Sequence, residues 1–351
     1  MPNKRMLTFS QAINEALEQS MSKDKNVIIL GLGVDDPKEI FGTTKNLYKK
    51  FGSKRVFDMP TSENSFTGFA LGLAIEGKKP VIVHQRVEFA LLSMDQIINQ
   101  AAKWFYMSGG KKPMPIVIRL IIGRGWGQGP QHSQSLESIF AHIPGLKVVC
   151  PSTPLNAKGL LISSIKDKNP VIFFEHRWLH NTTGYVPKKN ITQKLGQSKY
   201  VTRGNDITII AFSYTVIESL KLNKILKQNK ISAEIIDLLT LRPLEVTKII
   251  KSSKKTKKIL IIDNGWTKYG VSAEISSIIS DQQIKGAEIV RIGNYDGPIP
   301  STISLAKFAY PSLKLIIARV SKLLKKNIKL NDKNLSKVST DIPDKDFLGP
   351  F

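Results

Sequence analysis

The sequence predicts an α/β protein with mostly parallel sheets, built as two domains. Three observations predict it. Short apolar runs alternate with helix-length amphipathic segments along nearly the whole chain. That rhythm stops in a polar stretch at residues 181–200 and then restarts. The 351 residues also suit two domains at about 150 residues each.

Taken in order, residues 27–30 (VIIL), 55–59, 81–83 (VIV), 116–122, 147–150 and 171–175 read as buried strands. Between them, 63–76, 91–107 and 157–166 carry apolar residues at helical spacing. Parallel strands need long crossovers, so this alternation implies a mostly parallel sheet with helices on both faces. Residues 181–200 have little periodicity and read as a connector. Beyond it, 207–211, 233–237, 258–263 and 288–292 read as strands, separated by helices at 215–227, 244–253, 272–280 and 312–324. The expected division is a first domain over 1–180, a linker over 181–204, a second domain over 205–328 and a polar tail over 329–351. The tail ends DIPDKDFLGPF without a period, as expected of a disordered segment or one laid across a neighbour.

Composition narrows the function. Hydrophobic residues at 41% and charged residues at 23% describe an ordinary globular chain. No apolar run approaches the length of a membrane span, and MPNKRMLTFSQAINEAL lacks the apolar core of a signal peptide. Cys150 is the single cysteine, which excludes an internal disulfide framework and a multi-cysteine zinc site. A cytoplasmic location is expected. The net charge of +24 raises the question of nucleic acid, but 42 lysines stand against 10 arginines. The lysines are scattered as pairs over the whole chain, the pattern of a solvated surface, and zinc-finger, helix-turn-helix and RNP-type signatures are absent.

Four segments carry candidate chemistry. Gly31-Leu32-Gly33 hints at a dinucleotide turn, but the third glycine is missing and Asp35 and Asp36 would face the pyrophosphate. Met59-Pro60-Thr61-Ser62-Glu63-Asn64 runs a strand into a helix whose first turn carries Glu63. The helix dipole, with Thr61 or Ser62 as cap, accounts for that carboxylate without any ligand. A buried carboxylate at a strand end, where α/β folds place ligands, accounts for it as well. Residues 123–134 (GRGWGQGPQHSQ) alternate glycines and then present His132, a side chain suited to acid–base work near neutral pH. In residues 161–170, Ser164, Asp167 and Asn169 are ordinary turn residues that also offer oxygens to a hard cation.

Together these segments resemble one family: the β subunit of the thiamine-diphosphate-dependent 2-oxoacid dehydrogenase E1 component, of pyruvate or branched-chain type. The resemblance rests on PTSENSFTGFALGLA, SMDQIINQAAKWFYMSGG, PQHSQSLESIFAHIPGLKVVCPSTPLNAKGLL, DLLTLRPLE and NGWTKYGVSAEI, in order from about residue 7 to 328. It implies a transketolase-like pyrimidine-binding domain followed by a transketolase C-terminal domain. It also implies a β2 core that binds two α subunits in an α2β2 heterotetramer. By resemblance Glu63 hydrogen-bonds N1′ of the cofactor's aminopyrimidine, with Thr61 beside it and the Phe89 ring packed on the pyrimidine. Protonation at N1′ promotes the 4′-imino tautomer, the base that removes the thiazolium C2 proton. His132 is implied to act as acid–base or positioning group when the acyl moiety passes to lipoamide. A potassium ion is implied on Ile116, Ser164, Asp167 and Asn169. The family keeps the diphosphate and Mg²⁺ on a GDG…N motif of the α subunit, and this chain contains no GDG.

Three departures qualify the resemblance. Leu32 followed by Gly33 stands where the family usually has a glutamate implicated in coupling the two active sites. His84 and Arg86 stand where apolar or small residues are common, and with Arg124, Trp126 and Gln128 they suggest a substrate more polar or acidic than pyruvate. The chain also runs 23 residues past Ile328, near which such β subunits commonly stop, and its basic character qualifies docking to a lipoyl-bearing E2. The expected activity is oxidative decarboxylation of a 2-oxoacid with a separate α subunit and acyl transfer to lipoamide. The alternatives are a split transketolase-like or acyloin-forming carboligase without E2, and a non-catalytic basic binding protein.

Overall fold

The computed structural model describes residues 5–36, 39–125, 127–330 and 340–343. The chain divides into two compact units. The first falls within Met1–Ile122, Ile139–Leu195 and Thr240–Pro243, and the second within Gly123–Ser138, Gly196–Leu239 and Leu244–Phe351.

The strands are β1 (Met6–Thr8), β2 (Val27–Gly31), β3 (Val56–Asp58), β4 (Lys79–His84), β5 (Val117–Ile122), β6 (Lys147–Val149), β7 (Val171–His176) and β8 (Thr183–Tyr185). They continue as β9 (Lys199–Thr202), β10 (Ile207–Ala211), β11 (Ala233–Asp237), β12 (Thr240–Arg242), β13 (Lys258–Trp266) and β14 (Glu288–Asn294).

In the first unit seven strands form one sheet in the order β12-β6-β7-β5-β4-β2-β3. Every pairing is parallel except that of β12, which runs antiparallel along β6 at the edge. β2, β5 and β7 are buried at every residue, and β4 at all but its first. Central parallel strands are covered on both faces, and for that reason they read as unbroken apolar runs. Because β2, β3 and β4 run parallel, Gly31, Asp58 and His84 all emerge at the same edge of the sheet. Gly31 has φ +149°, and a Cβ there would meet the Val83 carbonyl at 2.3 Å, so only glycine lets β2 leave so close to β4.

The second unit holds five strands in the order β14-β13-β10-β11-β9, parallel apart from β9. Its core joins Ile209, Leu226, Ile235, Leu260 and Val320 from strands and flanking helices. The strand expectations hold within one to three residues at each end.

Other expectations need correction. Within the supposed connector, Thr183–Tyr185 pairs with β1 and Lys199 begins β9. Both are short edge strands with exposed or half-exposed residues, so no apolar alternation marks them. The expected helix over 91–107 changes pitch along its path: a 3₁₀ helix at Val87–Ser93, a π-helix at Asp95–Ala101 and an α-helix at Ala102–Met107. Helix Phe9–Lys23 begins at a capping box, in which the Thr8 hydroxyl accepts from the Gln11 N–H and the Gln11 side chain accepts from the Thr8 N–H. Within the tail, Thr340–Pro343 are described, and Thr340 and Asp341 lie against residues of the second unit; residues 331–339 and 344–351 lie outside the described residues. No helix among the described residues is long and apolar enough to cross a membrane.

Candidate active site

The first unit places Glu63 at the start of helix Glu63–Ile75, five residues after β3 ends. The Met59 N–H still reaches the Gly31 carbonyl at 3.0 Å, so the chain leaves β3 along the sheet edge before turning into the helix. The capping expectation is not met. Ser62 is the cap residue, but its hydroxyl turns to Ser65 Oγ at 3.0 Å, and Thr61 is exposed. Glu63 is only 5% exposed, and its carboxylate has no hydrogen-bond partner among the described residues. Free N–H groups and the dipole of the first helical turn offset part of the cost of burying that charge. Glu63 thus stands at the carboxyl edge of parallel strands, where α/β folds place ligands.

Phe89 is brought to the same edge. Its 3₁₀ turn packs on the Glu63 helix, and Thr67 Oγ1 donates to Ser93 Oγ at 3.0 Å across the join. His84, last residue of β4, lies between these elements with its ring 5.1 Å from the Phe66 ring. His84 is 1% exposed, and neither ring nitrogen finds a partner among the described residues. Burial lowers its pKa to about 3, so the imidazole is neutral. Leu32, in place of the family glutamate, offers only its carbonyl, which accepts from Gln85 Nε2 at 3.1 Å. Arg86 and Arg177 are both buried near this edge. Burial first, and then the charge of Arg86, lowers Arg177 to about 10, and the Phe41 ring lies 4.6 Å from its guanidinium.

A charged cluster that sequence reasoning missed sits inside the sheet. Arg119 on β5 donates to both oxygens of Glu175 on β7, at 2.5 and 2.9 Å, and to Thr43 Oγ1 at 2.8 Å. His180 Nε2 lies 3.5 Å from the same carboxylate. Burial pushes Glu175 up, but the charge and hydrogen bonds of Arg119, with His180 close by, outweigh it and hold the pKa at about 2. The available signal was a charged residue inside each apolar run, VIRLII and VIFFEH.

The four residues tied to potassium lie together where helix Pro154–Lys166 meets β5 and β7. The Ile116 carbonyl accepts from Val171 at 2.9 Å, and the Ser164 carbonyl accepts from Asp167 at 3.2 Å. Ser164 Oγ donates to the Leu160 carbonyl at 2.8 Å. Asp167 pairs with Lys147 at 2.5 Å and caps the Asn169 N–H at 2.9 Å. The Asp167 carboxylate is therefore already met by a cation.

His132 belongs to the second unit, at the end of the one-turn helix Gly129–His132, where it is half-buried. Arg124 is buried. Its guanidinium pairs with Glu218 and lies 5.4 and 5.0 Å from the Tyr214 and Tyr310 rings. Gln128 is half-buried in the same loop, and Trp126 lies outside the described residues. Just beyond, a small cavity is lined by Ser135, Glu137, Asp263, Trp266 and Lys268. Burial, and then the neighbouring Asp263 charge, raises Glu137 to about 7, although Asn264 donates to it at 3.3 Å.

Comparison with known proteins gives the family and the fold. The transketolase pyrimidine-binding domain matches residues 5–182, and the transketolase C-terminal domain matches 196–314. Acetoin:2,6-dichlorophenolindophenol oxidoreductase subunit beta of Cupriavidus necator is 38% identical over 92% of this chain and 98% of its own. The pyruvate dehydrogenase E1 component subunit beta of Rickettsia felis is 36% identical over 90% and 98%, and that of Gracilaria tenuistipitata var. liui 41% over 84% and 92%. A split-gene transketolase, solved as an inactive beta4 tetramer, shares the fold at a TM-score of 0.74 and 18% identity, over 91% of this chain and 98% of that one. The chain belongs to the transketolase-like family that includes the β subunits of pyruvate dehydrogenase E1 and of acetoin oxidoreductase.

Proposed function

We propose that this chain is the β subunit of a thiamine-diphosphate-dependent 2-oxoacid dehydrogenase E1, which works with a separate α subunit to decarboxylate a pyruvate-like 2-oxoacid and pass the acyl group to lipoamide on an E2. The observation that carries this reading is Glu63, a nearly buried residue whose carboxylate has no protein partner among the described residues and still opens at the carboxyl edge of a parallel sheet. Such a carboxylate suits a ring nitrogen that must be held protonated, and thiamine diphosphate has one in its aminopyrimidine. When bound, that cofactor supplies a thiazolium carbon nucleophile and an electron sink for the loss of CO2. Glu63 holds the proton at N1′, the Phe89 ring covers the pyrimidine, and Thr61 lies at the rim. His132 moves or positions a proton as the acyl group leaves for lipoamide.

We assign the diphosphate and Mg²⁺ to the α subunit, within an α2β2 assembly, a reading supported by the family resemblance and by the lack of a GDG motif in this chain. Potassium belongs to the same proposal. Ile116, Ser164, Asp167 and Asn169 would offer it oxygens, with the Asp167 carboxylate shared with Lys147. A second reading is cleavage of a 2-hydroxyketone, favoured by the 38% identity to the acetoin enzyme's β subunit.

Co-expression with the α-like partner, thiamine-diphosphate titration, and turnover across a panel of 2-oxoacids plus acetoin test both readings. CO2 release from one acid is expected. Turnover of acetoin alone would select the second reading. Cofactor binding without either would sink both. Glu63→Gln is expected to abolish turnover while folding and assembly persist, and near-normal activity in that variant would remove the cofactor assignment.

A further inference from the structure

The loop that ends in His132 is held by residues that lie far from it in sequence. Gly125 is the anchor. Its N–H donates to the Tyr310 hydroxyl at 2.7 Å. With φ at +69°, a Cβ on Gly125 would meet the Asp341 carbonyl oxygen at 1.9 Å, so the backbone of the tail lies directly on this glycine. Asp341 is 1% exposed, and the preceding Thr340 hydroxyl donates to the Lys307 carbonyl at 2.7 Å, which ties the segment to helix Ile303–Ala309.

On the other side of the anchor, Arg124 is paired with Glu218 and flanked by Tyr214 and Tyr310. Tyr310 therefore touches two consecutive loop residues, one through its ring and one through its hydroxyl. The constraint passes onward. The Gln128 N–H donates to the Gly125 carbonyl at 3.2 Å, closing a turn that leads directly into helix Gly129–His132. Ser301 lies under that helix start, its Oγ 2.6 Å from where a Cβ on Gly129 would stand. A loop with glycines at 123, 125, 127 and 129 has little preference for one shape. These contacts select one.

We propose that Thr340 and Asp341, together with the Arg124–Glu218 pair and Tyr310, clasp the glycine-rich loop at Gly125 and so position His132 for acyl transfer. The positioning part rests on the role given to His132 above; the clasp itself does not. Arg124, Tyr310 and Asp341 are positioning residues, acting through the loop.

The test compares three variants in the purified complex with the α subunit: deletion of 340–351, Tyr310→Phe and His132→Ala. Hydrogen exchange of the loop amides reports the clasp, with the amides of β10, β11 and β13 as reference for an intact fold. Exchange at Gly125 and Gln128 is expected to rise about tenfold or more in the first two variants while the reference amides stay protected. Unchanged loop exchange in both overturns the clasp. If the deletion unprotects the reference amides, Tyr310→Phe decides alone. The second readout is the ratio of lipoamide acyl transfer to decarboxylation with an artificial acceptor. All three variants are expected to lower that ratio several-fold. If only His132→Ala lowers it, the clasp does not position His132. If His132→Ala itself leaves the ratio unchanged, the role of His132 falls while the exchange result still judges the clasp.

Discussion

Individual buried polar residues set the strongest local demands in this chain. Arg119 and Glu175 are both fully buried, so each is tolerable only because the other is present. Arg119→Met is expected to leave Glu175 as an uncompensated buried charge and to destabilise the fold by about 3–5 kcal/mol in denaturant unfolding. His84 makes the opposite kind of demand. Its pKa of about 3 in the fold lies below the ordinary 6.5, so the unfolded chain binds the extra proton. The contribution is therefore present above about pH 6.5 and is lost as pH falls toward 3, at up to about 1.4 kcal/mol per pH unit. Urea midpoints between pH 7.5 and 5 are expected to fall less steeply in His84→Leu than in the native chain. Equal slopes would show that His84 is not held neutral. Neither residue drew notice for the right reason in the sequence. Arg119 was hidden in an apolar run, and His84 stood out only against the family pattern, because pairing and burial depend on which strands lie side by side.

The fully buried strands were the most legible elements. β2, β5, β7, β10 and β11 were all anticipated, since a strand covered on both faces must be apolar throughout. β8 and β9 were not, because an edge strand is selected by the partner it meets rather than by its own pattern. The same limit applies to residues 87–107, where a 3₁₀ turn, a π-turn segment and an α-helix follow one another and no single period describes them. Helix Phe9–Lys23 is delimited locally, by the reciprocal Thr8–Gln11 capping box. Thr8→Ala is expected to cost about 1 kcal/mol of stability by thermal or denaturant melting. A loss below a few tenths would mean that packing of this helix against Pro154–Lys166, with Lys158 bonded to Glu15 at 2.5 Å, carries its stability instead.

At the scale of the whole chain, a net charge of +24 is a source of self-repulsion that the ion pairs relieve only in part. Raising NaCl from about 10 to 150 mM, where the screening length drops to about 8 Å, is expected to raise the melting temperature. A fall with salt would show that the ion pairs outweigh the repulsion.

The α/β class, the two-part organisation and the motif around Glu63 could be read from the order of residues, since apolar periodicity and short motifs are local properties. What surrounds each motif could not. Arg124, read from the sequence only as a sign of a polar substrate, pairs with Glu218, 94 positions away in sequence. Gly125, one of the alternating glycines of that loop, is the point where the tail rests. Both outcomes depend on chain segments meeting across long separations, and the closure entropy of such contacts is met by the core as a whole rather than by the residues that make them.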